Sequence, residues 1–507
     1  MRKLVALSAV TAVAAGVLTA FTSAGVAQGQ SDLAFGACPA PINGAYPNIR
    51  CAELTVPIDY SNPTTGNVTV QVSRLAAADP AKRRGVLVVN PGGPGAPGLT
   101  YGPGSWAARL PASVRDSYDI IGFDPRGAGR STPMRCLAEG DEFWGPPMPD
   151  PDPAANRRLN FDRSAQYAQA CHTNARAKLT PHLTTRNVAR DIDTLRTRLG
   201  VPKISFVGYS YGTYLGATYA SLYPARVDRM VLDSNVNPTP PDFAYRWTLS
   251  QAAAAGPALS HYFGWIASHD DVFGLGSSAA AVRARWDGAL ATLRAQPRGA
   301  LGAYEFLDMS FNNLYNENDW VGFGHALADF AVRADDAGLQ ARTFDRRTPG
   351  TGFETQYSVY SAVTCNDAPW PRRENTVVAD AEALQSQTPF AWYVQFFSVC
   401  YTWPTPAQPH LTVRGDNLPP ILMFNSTGDI ATPYAGALAL HQALPSSVLV
   451  TEAGSYRHGV AYQPAAPNQA ANQLATDYLV SGLVPSADTT IPAHPLPDAR
   501  TAASPGR

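Results

Sequence analysis

The chain has 507 residues with 39 basic and 40 acidic side chains, a formal charge of −1. No charge run or basic patch interrupts that balance, which argues against nucleic acid as a partner. The length suits one large domain with an insertion, or two domains, and leaves ample material for a core.

The first residues read as an export signal: Arg2 and Lys3, an apolar stretch from Leu4 to Phe21, and small residues at Gly25-Val26-Ala27. A membrane anchor is the competing reading, but the stretch is diluted by Ala, Thr, Ser and Gly. Cleavage after residue 27 would remove two positive charges and leave −3. No later segment is long and apolar enough to span a bilayer, so the mature protein is expected to be extracellular, free of the membrane and monomeric. Six cysteines, Cys38, Cys51, Cys136, Cys171, Cys365 and Cys400, suggest disulfides in that compartment. Pairing them in sequence order closes the shortest loops and is the expected connectivity. Without C-x-x-C, H-E-x-x-H or a histidine cluster, no metal or other cofactor is expected.

Residues 28 to about 80 predict a β-rich lead-in, with strands at Ala52–Ile58 and Asn67–Arg74. Gly85–Asn90 reads as a buried strand that enters the Gly- and Pro-rich loop 91–98. Tyr118–Asp124 is a second buried strand, ending in the turn from Pro125 to Ser131. Thr184–Leu199 has Val188, Ile192, Leu195 and Leu199 on one face of a helix. Ile204–Val207 then predicts a strand, Ala217–Leu222 a packed helix, and Val227–Leu232 another strand ending at Asp233. This alternation predicts an α/β fold with a mostly parallel central sheet flanked by helices, its active residues at the carboxyl ends of the strands. From 238 to 410 the pattern changes to helices and loops rich in aromatics, Tyr245, Trp247, Phe263, Trp265, Trp320, Phe323, Trp370, Trp392, Phe396 and Trp403 among them. Strand character returns at Pro420–Asn425 and Ser447–Thr451. The expected organisation is therefore a sheet domain, 28–237 and 411–485, carrying a mainly helical cap, 238–410. The Pro/Ala-rich tail 486–507 is expected to be loose.

The most informative run is Gly208-Tyr209-Ser210-Tyr211-Gly212, a G-x-S-x-G motif between a predicted strand and helix. A serine at such a corner sits in a strained turn with its hydroxyl exposed to a cleft. Serine needs a base, and the base an orienting carboxylate, in the chain order Ser, acid, His for a sheet hydrolase. Asp429 follows the strand ending at Asn425, and His458 lies in the loop after Thr451. His172, His182, His261, His269, His325, His441 and His494 fit that order and context less well. Asp233 competes for the acid because it too ends a strand, and its other reading is a structural hydrogen-bond anchor. The oxyanion that forms on attack calls for donors. The N–H of Tyr211 and the N–H of Gly93 are the candidates.

Pro91-Gly92-Gly93-Pro94-Gly95, the segment Asp124–Ser131 and the G-x-S-x-G run together resemble the signature set of the proline-iminopeptidase branch of α/β-hydrolases. The export signal, six cysteines, long cap and Val363–Asp367 resemble its secreted bacterial tripeptidyl-aminopeptidase group. Asn90-Pro91 departs from the His-Gly typical of the iminopeptidases. The resemblance implies an α/β-hydrolase fold and a secreted serine exopeptidase that acts on peptides with free N-termini and releases tripeptides. Such an enzyme must hold an ammonium group, for which cap carboxylates are the physical means. Glu317, Asp319, Glu354 and Asp367 are the candidates. An esterase or amidase acting on small molecules would share every catalytic residue, and a catalytically inactive binding module is the remaining alternative.

Overall fold

The computed structural model describes residues 32–138, 147–343, 351–464 and 466–500. The export signal predicted at 1–27 lies outside the described residues.

Ten strands form one sheet: β1 (Gly36–Ala37), β2 (Arg50–Pro57), β3 (Asn67–Leu75), β4 (Gly85–Asn90), β5 (Tyr118–Phe123), β6 (Ile204–Tyr209), β7 (Val227–Asp233), β8 (Ile421–Ser426), β9 (Ser447–Ala453) and β10 (Thr489–Pro492). Their spatial order is β1-β2-β3-β5-β4-β6-β7-β8-β9-β10. Strands β1, β2, β3 and β5 join antiparallel, and from β5 onward every neighbouring pair runs parallel. Central strands are buried on both faces, which is why they read as continuous apolar runs. Within β4, Val86 and Val88 enter the core on one face, while Leu87 and Val89 enter a second core on the other.

Helix α1 (Thr185–Arg198) buries Val188, Ile192 and Leu195, and the Thr184 hydroxyl caps it by accepting from the Asn187 N–H at 3.2 Å. Helix α2 (Tyr211–Leu222) follows the serine directly and is buried from Tyr211 to Ala220. The signature turn after β5 is scaffolding. The Asp124 carboxylate accepts from the N–H groups of Leu99 (2.9 Å) and Arg130 (2.7 Å), so it ties the loop after β4 to the turn after β5. Arg126 is wholly buried, paired with Asp191 of α1 and bonded to the Ile58 carbonyl at 2.8 Å.

The cap lies between β7 and β8. Its helices include α3 (Phe243–Ala267), α4 (Ala303–Asn313), α5 (Gly352–Asp367) and α6 (Ala391–Phe397). All ten aromatics singled out above are buried, and they pack against one another and their neighbours: Trp265 is tilted against Trp320, and Tyr262 stacks on Trp265 and tilts against Trp320. They are the cap's core. Cysteines pair in sequence order: Cys38–Cys51, Cys136–Cys171 and Cys365–Cys400. Among the described residues no helix is long and apolar enough to cross a membrane.

The expectation of a loose tail needs correction as far as Arg500. Strand β10 adds to the sheet beside β9, and the following residues reach the cap. His494 is buried between Glu452 of β9 (3.2 Å) and Glu317 of the cap (3.1 Å). Trp265 Nε1 donates to the Pro497 carbonyl at 2.9 Å, and Arg500 bonds Asp271. These polar anchors, sparse along the chain, outweigh the Pro/Ala composition of the segment.

Candidate active site

Three turns at the carboxyl ends of the parallel strands meet at one point. Ser210 occupies the sharp corner between β6 and α2, with φ 59° and ψ −129°. Such a conformation costs a non-glycine residue about 1–3 kcal/mol and survives only where the surroundings enforce it. Here they do. A Cβ on Gly208 would lie 2.3 Å from the Gly212 carbonyl oxygen, and one on Gly212 would lie 2.9 Å from that of Asn90. The Ser210 N–H is held by the Asp233 carbonyl at 3.0 Å.

Asp429 lies in the turn after β8 and is 1 % exposed. Its carboxylate accepts from the N–H groups of Ala431 (2.8 Å) and Thr432 (3.0 Å) and from the Thr432 hydroxyl (2.8 Å). It also meets His458 Nδ1 at 2.9 and 3.1 Å. Burial disfavours the imidazolium, but Asp429, with Asp233 behind it, outweighs burial and raises the His458 pKa above its ordinary value. Asp429 thus holds the imidazole through Nδ1.

Asp233, the competing acid, holds the histidine's loop instead. Its carboxylate accepts from the N–H groups of Val460 (3.0 Å) and Ala461 (2.8 Å), while Gly459 N–H donates to the Ser234 hydroxyl at 2.7 Å. Burial pushes its pKa up to about 7 against those bonds.

The loop after β4 lies directly over the serine's turn. A Cβ on Gly92 would come 2.4 Å from the Tyr209 carbonyl and 3.1 Å from the Tyr211 nitrogen. The Gly92 N–H is taken by Asn90 Oδ1 at 3.0 Å, so the asparagine that replaces the expected histidine braces this loop. Gly93, the next residue, lines the cavity with Ser210 and His458. Tyr211 contributes the first N–H of α2, at a helix end where intrahelical partners are lacking. Its side chain points away, bonding Thr185.

That cavity measures about 340 Å³. Loop residues and Ser210 form its floor. Phe311, Tyr315, Tyr360, Tyr393 and Phe397 of the cap form much of its wall. Of the ten aromatics noted in the sequence, Trp247 alone lines it. The cap and the histidine loop are tied directly, His458 N–H donating to the Tyr315 carbonyl at 2.5 Å.

None of the four cap carboxylates is among the residues lining this cavity. Glu317 pairs with His494, and the largely exposed Asp319 pairs with Arg342 at 2.9 Å. Glu354 is fully buried, accepting from the N–H groups of Cys136 (3.0 Å) and Leu137 (3.2 Å). Asp367 accepts from the N–H of Thr185 at 3.1 Å and from its hydroxyl at 2.5 Å, closing the start of α1. Burial lifts its pKa to about 7. Each of these four carboxylates is engaged within the protein. Asp308, which sequence reasoning passed over, is a cap carboxylate that accepts from a cavity-lining side chain, Tyr393. As one aspartate inside a helix buried on nearly every face, it carries no local signal.

The family model for the α/β-hydrolase fold matches residues 85–461. The chain belongs to that family. It is 34% identical over 475 residues to a tripeptidyl aminopeptidase of Streptomyces lividans, covering 91% of this chain and 86% of the relative. A serine protease Hip1 of Mycobacterium tuberculosis is 27% identical, covering 88% and 89% of the two chains. A carboxylesterase B of the same species is 30% identical, covering 86% and 85%. Together with the fold, these relatives make this member of the family a serine hydrolase.

Proposed function

We propose that the chain is an exported serine aminopeptidase that releases short peptides, tripeptides foremost, from free N-termini. In this reading Ser210 attacks the peptide carbonyl while His458 takes its proton and returns it to the leaving amine. Asp429 holds the imidazole in the required tautomer, and the N–H groups of Gly93 and Tyr211 receive the oxyanion. No metal or other cofactor enters the scheme.

The observation that carries this reading is the walled cavity: Ser210 and His458 open into a space bounded by the cap, which suits a chain end better than the middle of a chain. The tripeptidyl aminopeptidase relatives support it, and the three disulfides support export. A second reading, an esterase or amidase, is favoured by one specific observation, that no carboxylate lines the cavity among the described residues.

Chromogenic peptides of one, two and three residues, each with a free or acetylated N-terminus, separate the two readings when tested beside a butyrate ester and the Ser210→Ala variant. Ser210-dependent cleavage that needs the free amine supports the aminopeptidase, and the best length gives the register. Equal cleavage of acetylated peptides would leave an esterase or amidase.

A further inference from the structure

A peptide's free N-terminus is a cation at neutral pH, and taking it out of water requires acceptors and a compensating charge. Among the described residues no carboxylate lies directly on the wall of the cavity that receives it, and a charge set just behind the wall can meet that need. Helices α4 and α6 form that part of the wall. Tyr393 of α6 lines the cavity and its hydroxyl is bonded to Asp308 of α4. The tyrosine is the donor in that bond, and a phenol oxygen can accept as well as donate. One turn along α4, Asn312 also lines the cavity, and its Nδ2 donates to the Asp308 carbonyl at 2.6 Å. Asp308 is 7 % exposed, so its charge acts at low screening.

We propose that the Asp308–Tyr393 pair recognises the substrate's terminal ammonium, with Tyr393 in contact and Asp308 supplying the negative charge through the shared hydrogen bond. The inference rests on the aminopeptidase reading and gives it a residue-level basis. The span from Ser210 to Tyr393 would then set how many residues lie between the amine and the scissile bond. Asp308 is a positioning residue for the tyrosine oxygen and the source of its polarity.

The test compares kcat and KM of the wild type, Asp308→Asn and Tyr393→Phe on one tripeptide anilide with a free or an acetylated N-terminus. Fluorophosphonate labelling of Ser210 reports folding of each variant. Tyr393→Phe, which deletes one oxygen, carries the test if Asp308→Asn does not label. The wild type is expected to prefer the free amine, and each variant to lose about 10- to 100-fold of that preference, mostly in KM, as expected for a hydrogen bond to a charged group. Wild-type kcat/KM on the free amine should also fall above about pH 8 as the amine deprotonates, and Asp308→Asn should flatten that fall. A wild type indifferent to acetylation would overturn both the aminopeptidase reading and this inference. A preference retained in both labelled variants would overturn the inference alone.

Discussion

The floor and the cap both bury carboxylates, and use them differently. On the floor Asp124, Asp233 and Asp429 each gather N–H groups from the turns that surround Ser210 and His458. In the cap Glu305, Glu354 and Asp367 gather donors from other segments, as in the Glu305 bonds to Met148 and Gly302 and the Asp367 bonds to Thr185. The floor therefore concentrates its polar groups on one point, while these cap carboxylates fasten the cap to the rest of the chain and its cavity wall is largely aromatic.

This contrast can be broken most forcefully at the serine. Ser210→Ala should lower kcat by about 10⁶ with the thermal midpoint nearly unchanged. Asp429→Asn should lower kcat by about 10⁴ through loss of the orienting acceptor. Asp233→Asn should instead destabilise by about 1–3 kcal/mol, as expected when buried donors lose their acceptor, with a smaller loss of rate. A reversed order for these two aspartates in parallel kinetics and thermal melts would exchange their roles. Gly92→Ala should cost about 1–3 kcal/mol through overpacking and reduce kcat by lifting the loop off the serine's turn, read by activity and melting together.

Two smaller effects concern pH. Because the His458 pKa is raised, the acid limb of kcat/KM should lie above about 6.5, and Asp429→Asn should move it down. Asp367 bears on stability. Its folded pKa of about 7 exceeds that of the unfolded chain, so protons bind the native state more tightly. Stability is then fully present below about pH 4 and declines until the pH has passed about 7. Asp367→Asn should flatten that slope in melts recorded between those limits.

Much of the floor is readable in the sequence because its geometry is local. Glycines at 208 and 212, a strand before and a helix after, demand the strained serine. The order of Asp429 and His458 follows from strands that read as apolar runs. Asp124 and Arg126 are equally conspicuous, yet their contribution is to hold loops in place. The cap resists such reading. Which face of α4 or α6 meets the cavity depends on how rings pack across helices, so Phe311 and Tyr393 looked no different from Phe263 or Trp392. Asp308 is defined only by its partner 85 residues away. The tail misleads for a related reason: single anchors at His494 and Pro497 leave no periodic trace.

That tail has a consequence for the order of synthesis. The serine and its turn emerge from the ribosome long before Asp429 and His458, and the strand and anchors that bind cap to sheet come last of all. An incomplete chain can therefore present the nucleophile but neither its base nor a closed cap. The Asp429–His458 pair can form only once translation has passed residue 458, and the His494 link between cap and sheet only when the last strand has been made.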